Sequence, residues 1–477
     1  MSEAMQPFNT GDFWLPGEET NKIPGRLTLG SRWQTLELHQ PVTPSMRLDS
    51  TASDGTQTWV PISSGAEDLT IHGSLDDGVG PVTLISASTR RRAGIGRFGS
   101  PERHTLESEY AIIGGHVDGE LTLFTDIRIS AQYLDYWTNI PELDRRPSDS
   151  NSTLVVTYEF PEKVWHPLPD NTGRFSYSCD WEIPHSSRRR RHVRTKTWIH
   201  ISLNEGLSFR EIRRKFLHPL SALLTLLYDR DCPPTGLEVK NEQHDHWLGV
   251  VAYGIEREDD LEPDVPLLSA SEFDFGKLGN WFQLAERMDP IPGLISGSIK
   301  DSSRTVQNRL LELATAAEGL HRRLYDGERR LSDEQVTNGL SVLGDTSLDR
   351  DVFEVLSSAL RTYLWDLSFP MRVLALAENV ADYTPGVAGK PNRWKSALVN
   401  ARNGFAHGLE DDGTDSVGKY YVLAQSLRWL LSMRLFAEAG VSKEIMARNV
   451  INYEPYKRFM RAAAQLLPKV YGQSATR

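Results

Sequence analysis

The residues best suited to chemistry lie in Trp394–His407, WKSALVNARNGFAH, which contains Arg402-Asn403-Gly404-Phe405-Ala406-His407. An Arg followed closely by a His suits metal-free cleavage of RNA, in which the 2′-hydroxyl attacks the adjacent phosphorus. That reaction needs a group that moves protons near neutral pH, and His has an unperturbed pKa of about 6.5. It also needs a cation for the charge that builds on the phosphorane, and the planar, permanently charged Arg supplies one. Asn403 and His407 are four positions apart and share a helix face. Arg402 is turned from Asn403 by about 100°. An ideal helix therefore does not aim Arg402 and His407 at one point. Either Gly404 relaxes the turn or a second copy of the chain completes the site.

Arg, four to six intervening residues and then His is a weak signal. It occurs at Arg32/His39, Arg97/His104, Arg194/His200, Arg213/His218 and Arg402/His407, and most such pairs are surface or satisfied core groups. Asn directly after the Arg selects Arg402 alone. So does context, because Arg402 lies in a region of helical periodicity and the other four lie in strand-rich or mixed sequence.

The elements that must position the hexapeptide begin near Val306. Leu310, Leu313, Ala314, Ala317, Leu320 and Leu324 form one apolar stripe, with Glu318 and His321 three apart on the same helix. Asp351–Leu367 reads as a second amphipathic helix with Phe353, Leu356, Leu360 and Leu364 on one side. Pro370 separates it from Met371–Val380, and the Pro/Gly stretch Thr384–Pro391 leads into the motif helix. There Trp394, Leu398, Ala401 and Phe405 make the core face and Arg402 sits at its edge. Gly408 is a C-cap candidate, and Asp411–Ser416 reads as a polar turn. Val417–Ala439 follows as a long helix with Tyr420, Tyr421, Ala424, Leu427, Leu431 and Leu435 inward, and a final helix runs over Tyr456–Tyr471. Helices with short connections make a bundle.

The first half has a different rhythm. Short runs such as LTIHGSL, VTLISAS, LTLFTDIRIS, FSYSCDWEI and KTWIHISL are β-branched or aromatic and are separated by Gly, Pro, Asp and Asn. That pattern predicts an antiparallel sandwich or barrel-like domain. Pro16-Gly17 and Pro24-Gly25 read as turns. One helix, Ser208 to Tyr228, interrupts the strands, with Pro219 as a break or kink. The acidic, loop-rich stretch after residue 255 marks the domain boundary. The fold class is α+β, with a β-rich domain over 1–290 and a helical domain over 291–477.

Composition sets limits. A chain of 477 residues accommodates two or three domains. The net charge of −11 means that any nucleic acid is bound by local basic patches. Two cysteines, Cys179 and Cys232, exclude a disulfide scaffold and a cysteine-based zinc site. The opening MSEAMQPFNTGDFW has no apolar core of a signal peptide, and the longest apolar run, near Leu220–Tyr228, falls far short of a membrane span. These features point to the cytoplasm and to no membrane partner.

The hexapeptide resembles the active-site motif of HEPN ribonucleases, an Arg, a polar residue and a His a few positions on. Gly11-Asp12-Phe13-Trp14-Leu15-Pro16-Gly17 followed by Pro24-Gly25-Arg26-Leu27 looks like the N-terminal domain of the ApeA family of bacterial anti-phage HEPN proteins. Together the resemblances span nearly the whole chain. They imply a metal-independent endoribonuclease of an abortive-infection system, needing no cofactor. His407 would handle protons, Arg402 would stabilise the transition-state phosphate, and Asn403 would orient the phosphate or the Arg. The family often carries an acidic residue in the first helix near the active site, which puts Glu318 in a supporting role; the alternative is a surface charge. The implied partners are RNA, with transfer RNA among the candidates, a second copy of the chain bound through the HEPN domain so that two motifs face each other, and a phage-derived trigger. The N-terminal domain would sense infection or restrain the nuclease.

Other motifs compete less well. Gly94-Ile95-Gly96-Arg97-Phe98-Gly99 matches a dinucleotide fingerprint, but Ser100-Pro101 and a strand signal follow where a helix is required. Arg188, Arg189, Arg190 and Arg191 form a basic run, either a solvated loop or an RNA-phosphate contact; Thr89–Arg92 shares that ambiguity. His244-Asp245-His246 reads as a polar strand end in preference to a metal site. Two other functions stay open. One is a non-catalytic HEPN-like module that binds RNA or protein. The other is a ligand-binding sandwich whose pocket would use residues such as Trp14, Trp137 or Trp181.

Overall fold

The computed structural model describes residues 8–30, 33–43, 46–51, 54–61, 68–76, 78–93, 103–139, 142–147, 154–159, 162–182, 194–259, 261–300, 303–407 and 414–472. The runs of alternating apolar and polar residues form strands: β1 (Phe8–Trp14), β2 (Ile23–Leu29), β3 (Gln34–Leu38), β4 (Met46–Thr51), β5 (Gln57–Pro61), β6 (Leu69–Leu75), β7 (Gly80–Ala93), β8 (Arg103–Ser108), β9 (Tyr110–Ile113) and β10 (Phe124–Ala131). After the short helix α1 (Leu134–Thr138) come β11 (Glu142–Pro147), β12 (Leu154–Glu159), β13 (His166–Pro167), β14 (Gly173–Glu182) and β15 (Arg194–Leu207). Then β16 (Pro234–Asn241) and β17 (His244–Ala252) follow a longer helical segment.

Two features of one sheet set the architecture. Strands β7-β6-β1-β2-β3-β8 are neighbours in that order, and β8 pairs back onto β7, so this part closes into a ring. The inward residues Phe13, Leu27, Leu36, Ile71, Val82, Leu84 and Leu106 fill it, all fully buried. Closure leaves no free edge on this part of the sheet. From β7 the sheet also runs the other way, as β9-β17-β16-β10-β15-β14-β13. Strand β7 serves both parts. Its first half pairs with β9 and its second with β8, and Ser86, at φ 54°, lies where the pairing changes. The β-rich half is therefore a barrel that continues into an open sheet.

Pro16-Gly17 forms the expected turn, with Gly17 at φ 83°. Pro24-Gly25 does not. Both residues lie inside β2, opposite Asp12 and Gly11. The reason is packing: a Cβ on Gly25 would meet Leu38 Cδ2 at 2.7 Å and Phe13 Cδ2 at 3.0 Å. The glycine makes room for the barrel core instead of reversing the chain.

The helix expected at Ser208–Tyr228 is present but not broken at Pro219. Ser208 and Glu211 form a capping box that starts α2 (Phe209–Ile212); a π-turn over Arg213–Leu217 follows, and α3 (His218–Tyr228) completes the helix. The wider turn accommodates a residue without an N–H just after it. One face of the open sheet is apolar, with Ile127, Ile129, Ile199, Ile201, Leu237 and Val239 buried. The opposite face carries an unusual row. His200 lies edge-on to Trp165 and Trp247, at 4.9 and 5.1 Å between centroids. Arg128 covers Trp247, and Lys163 and Arg174 cover Trp165.

The chain forms two compact units, Met1–Leu224 with Cys232–Pro263, and Thr225–Asp231 with Asp264–Arg477. The second is helical: α4 (Phe275–Arg287), α5 (Ile291–Lys300), α6 (Val306–Leu324), α7 (Asp333–Gly344), α8 (Arg350–Ala359), α9 (Phe369–Val380), α10 (Pro391–His407), α11 (Thr414–Glu438), α12 (Lys443–Asn452), α13 (Glu454–Leu466) and α14 (Pro468–Tyr471). Helix α4, which the sequence reading leaves in the β-rich domain, belongs to this unit. Its Trp281 packs 6.2 Å from Phe436 of α11, and Phe273 lies 6.1 Å from the same ring. Helix α11 is the central element, because its buried residues, including Val422, Leu427, Trp429, Leu430, Leu431 and Phe436, go all the way round.

Three expectations for this unit need correction. Pro370 does not separate two helices; it sits in the first turn of α9, where a missing N–H costs nothing. Helix α8 ends in a π-turn over Leu360–Leu364, and its expected apolar side is only partly covered: Phe353, Leu360 and Leu364 are half-buried and Leu356 is 39 % exposed. Tyr421 points outward, 41 % exposed. Helix α12 has no counterpart in the sequence reading.

Candidate active site

Helix α10 is anchored before it presents anything to solvent. Trp394 and Leu398 are fully buried and Ala401 nearly so. Trp394 Nε1 donates to Ser426 Oγ of α11 at 2.8 Å, and Phe405 meets Tyr420 edge-on at 4.6 Å. The expected core face is therefore the observed one, and the helix has little freedom to rotate. Its orientation places Arg402 on the flank, 39 % exposed, between α6 and α9.

Two groups hold Arg402 there. Glu318 of α6 lies 3.7 Å from Arg402 Nη2, and the guanidinium stacks over the Phe369 ring of α9 at 4.5 Å. Glu318 and Arg402 are thus brought together by tertiary packing across 84 residues of sequence. Asn403 and Gly404 are exposed on the same helix. His407 is the last residue of α10, four positions beyond Asn403; its side chain lies outside the described residues.

Behind Arg402 runs a chain of charges that sequence reading missed. Glu318 also accepts from Arg322 at 3.2 Å, and Arg322 donates to Asp366 at 2.8 Å. Asp366 accepts in turn from Arg372 at 2.5 Å. Arg372 is only 2 % exposed and spends its other N–H groups on the Leu367 carbonyl and on His321 Nδ1. Burial opposes ionisation of Asp366. The Arg322 and Leu367 hydrogen bonds and the Arg372 charge outweigh it, and its pKa falls below the ordinary carboxylate value. Burial and the adjacent Arg372 push the His321 pKa down. Because arginine only donates, His321 Nδ1 must be the acceptor, so the ring is neutral with its proton on Nε2. His321 therefore stiffens the network. It is completely buried and does not face solvent. Arg372 itself had a visible signal, a charged residue inside the apolar stripe Phe369, Val373, Leu376 and Val380. The partner that compensates it, six residues upstream, did not.

The remaining candidates do not join this site. Arg188, Arg189, Arg190 and Arg191, the Gly94–Gly99 motif and residues 408–413 lie outside the described residues. His244 Nδ1 is engaged with Asn241 and His246 Nε2 with the Gly114 carbonyl, both at 2.9 Å, at the start of β17. Among the described residues, no group of three or more His, Cys, Asp or Glu is placed to hold a metal ion. Trp14 and Trp137 are buried and Trp181 is 60 % exposed; none of them lines the hollow at Asp118–Thr125 in the β-rich unit.

Two family models match successive parts of the chain. Residues 9–281 match the family model of the ApeA N-terminal domain 1, and residues 311–445 match that of the Apea-like HEPN domain. The chain belongs to the ApeA-type HEPN family. No curated protein and no solved structure matched. The ApeA N-terminal match spans the barrel and the open sheet. The Apea-like HEPN match encloses Glu318, Asp366, Phe369, Arg372 and the whole hexapeptide. Among the described residues, no helix of this ApeA-type chain is long and apolar enough to cross a membrane.

Proposed function

We propose that this chain is a metal-independent endoribonuclease of a bacterial anti-phage, abortive-infection system, acting in the cytoplasm. The observation that carries the reading is Arg402, the Arg of the hexapeptide, held half-exposed by Glu318 and Phe369. A cation fixed in this way is set for a phosphate before the substrate arrives, which is how charge stabilisation accelerates a reaction. In the reaction, the 2′-oxygen bonds to phosphorus as His407 takes its proton. The 5′-oxygen leaves with a proton, and the products carry a 2′,3′-cyclic phosphate and a 5′-hydroxyl. Asn403 orients the phosphate. Glu318 positions Arg402, and Arg322 and Asp366 position Glu318.

Arg402 and His407 are five positions apart, about 140° on an ideal helix. One α10 does not converge them, so two copies supply one composite site across a homodimer. The exposed Val352, Val355 and Leu356 of α8 support such an interface. The β-rich part restrains the nuclease until a phage-derived trigger releases it, and the substrate is RNA, with transfer RNA a candidate.

The test is paired. Wild type and His407→Ala are expressed in bacteria, challenged with a panel of phages, and the new 5′-hydroxyl ends in total RNA are mapped. Protection and new ends from wild type, both lost in His407→Ala, are expected. Full protection by His407→Ala would replace this reading with a non-catalytic HEPN-like module that binds RNA or protein.

A further inference from the structure

The polar face of the open sheet is laid out in rows across four strands. Arg174 of β14, Ser202 of β15, Asp126 of β10 and Lys240 of β16 are cross-strand partners in one row, and Ser176, His200, Arg128 and Glu238 are partners in the next. Cross-strand partners share a face, and four strands span about 14 Å. Two indoles stand on this face. Trp165 and Trp247, both half-buried, meet the His200 ring edge-on. His200 is itself fixed, accepting from Lys163 at Nδ1 and donating from Nε2 to Asp126 at 3.1 Å. The place of both indoles is therefore built.

The charges on this face are unequal. Arg128 engages Asp180 at 3.0 Å and Glu238 at 3.7 Å, and Asp126 is held by His200, so these carboxylates are committed. Among the described residues, no carboxylate pairs with Lys163, Arg174 or Lys240. They lie over the indoles instead, Lys163 and Arg174 over Trp165 at 4.5 and 4.6 Å and Lys240 over Trp247 at 5.1 Å. A guanidinium stacked on an indole presents a flat cationic surface on its other side, onto which a nucleobase stacks. An acidic protein segment would use the cations and leave the aromatic layers idle. A strand of nucleic acid uses both, its phosphates on the lysines and its bases on the layers.

We propose that this face of the β-rich unit binds single-stranded nucleic acid, with one base stacked on the Arg174–Trp165 layer, a second against Trp247, and phosphates on Lys163 and Lys240. A four-stranded sheet face with aromatic side chains takes about two or three bases. Every residue of the face belongs to the β-rich unit, so binding here stands whether or not the hexapeptide cleaves RNA.

The test is fluorescence anisotropy on the full chain with labelled oligo-dT of about 12 nucleotides, which lacks the 2′-hydroxyl that cleavage needs, and with its duplex with oligo-dA. Oligo-U of the same length is measured on the His407→Ala chain. At about 50 mM salt a single strand is expected to bind with a Kd of about 10 µM or below, and about tenfold more tightly than the duplex, whose bases are already stacked. Either order of oligo-dT and oligo-U supports the site and tells DNA from RNA. Arg174→Gln and Lys240→Gln should each lower the slope of log affinity against log salt by about 0.7. Trp247→Ala should weaken the single strand about tenfold, the loss of one stacked base, and Arg402→Gln should change nothing. Arg174 is exposed, so its variant keeps the test valid if Trp247→Ala fails to fold. The assignment is overturned if neither single strand binds at about 100 µM, or if the duplex binds as tightly. It is also overturned if Arg174→Gln and Lys240→Gln leave affinity and salt slope intact, or if binding is lost only in Arg402→Gln.

Discussion

Replacing Asp366 by Asn tests the charge network behind Arg402 without assuming any activity. Asp366 accepts from Arg322 at 2.8 Å, from Arg372 at 2.5 Å and from the Leu367 N–H at 2.7 Å. Asparagine keeps the shape and removes the charge, which strands the Arg372 guanidinium at 2 % exposure. Breaking a buried ion pair by removing one partner costs about 3–5 kcal/mol. Here Arg372 keeps its bonds to the Leu367 carbonyl and to His321, and Asp366 is 19 % exposed. These lower the expected cost to about 3 kcal/mol. Urea unfolding followed by circular dichroism would read it as a lower midpoint with an unchanged slope. Adding Arg372→Met removes the stranded charge, so the double variant should recover about 2 kcal/mol relative to the sum of the singles. Acid sensitivity supplies a second check. Asp366 has a folded pKa below its ordinary value, so its contribution is present above about pH 4 and is lost as pH falls through the lower folded value. The Asn variant should lack that loss. A cost under about 1 kcal/mol, or strict additivity with Arg372→Met, would refute the reasoning.

Three further outcomes are expected. Glu318→Gln should slow RNA cleavage about fivefold, since a half-exposed ion pair is worth up to about 1 kcal/mol, while Arg402→Ala should cost about a hundredfold or more; equal losses in single-turnover assays would give Glu318 a direct role in place of a positioning one. Burial pushes the His200 pKa down to about 4, the Lys163 charge adding to it against the Asp126 hydrogen bond. The unfolded chain takes up that proton near pH 6.5, so stability is complete above this value and falls by up to about 3 kcal/mol towards pH 4; unfolding curves of His200→Gln should lack that component, and identical pH profiles would contradict it. Gly11→Ala should destabilise the barrel by about 2 kcal/mol or more, because its Cβ would meet the Ser74 carbonyl and lie 2.9 Å from Leu75 Cα, backbone atoms that cannot move aside; an unchanged melting temperature would rule this out.

Periodicity and composition already determined much of this protein. The apolar stripe of the helix from Val306, the start of a helix at Ser208, the core face Trp394, Leu398 and Ala401, and the uniqueness of Arg402-Asn403 are all local properties. Each depends on neighbours within a turn or a strand, and so each is legible in the chain. The opening Gly11–Gly17 and the hexapeptide were enough to suggest the family, and the match over residues 9–281 and 311–445 bears that out.

Tertiary structure decided the rest, for the reason that it depends on residues distant in sequence. No pattern in β7 announces that its two halves pair with different strands, or that β8 closes a ring. Pro24-Gly25 reads as a turn because the pair is common in turns, yet the space that glycine leaves is set by Phe13 and Leu38, eleven or more positions away. Leu356 and Tyr421 have an apolar or aromatic character that predicts burial, but neighbours decide whether a face is covered. Glu318 could be singled out as an acid on the first helix, and only packing of α6, α9 and α10 could bring it to Arg402. Arg372 stood out as a charge inside an apolar stripe, but Arg322 and Asp366 had no chemical pattern to mark them. They matter because α6, α9 and the turn that precedes α9 converge where a buried arginine needs a carboxylate, a requirement that arises only once the chain has folded.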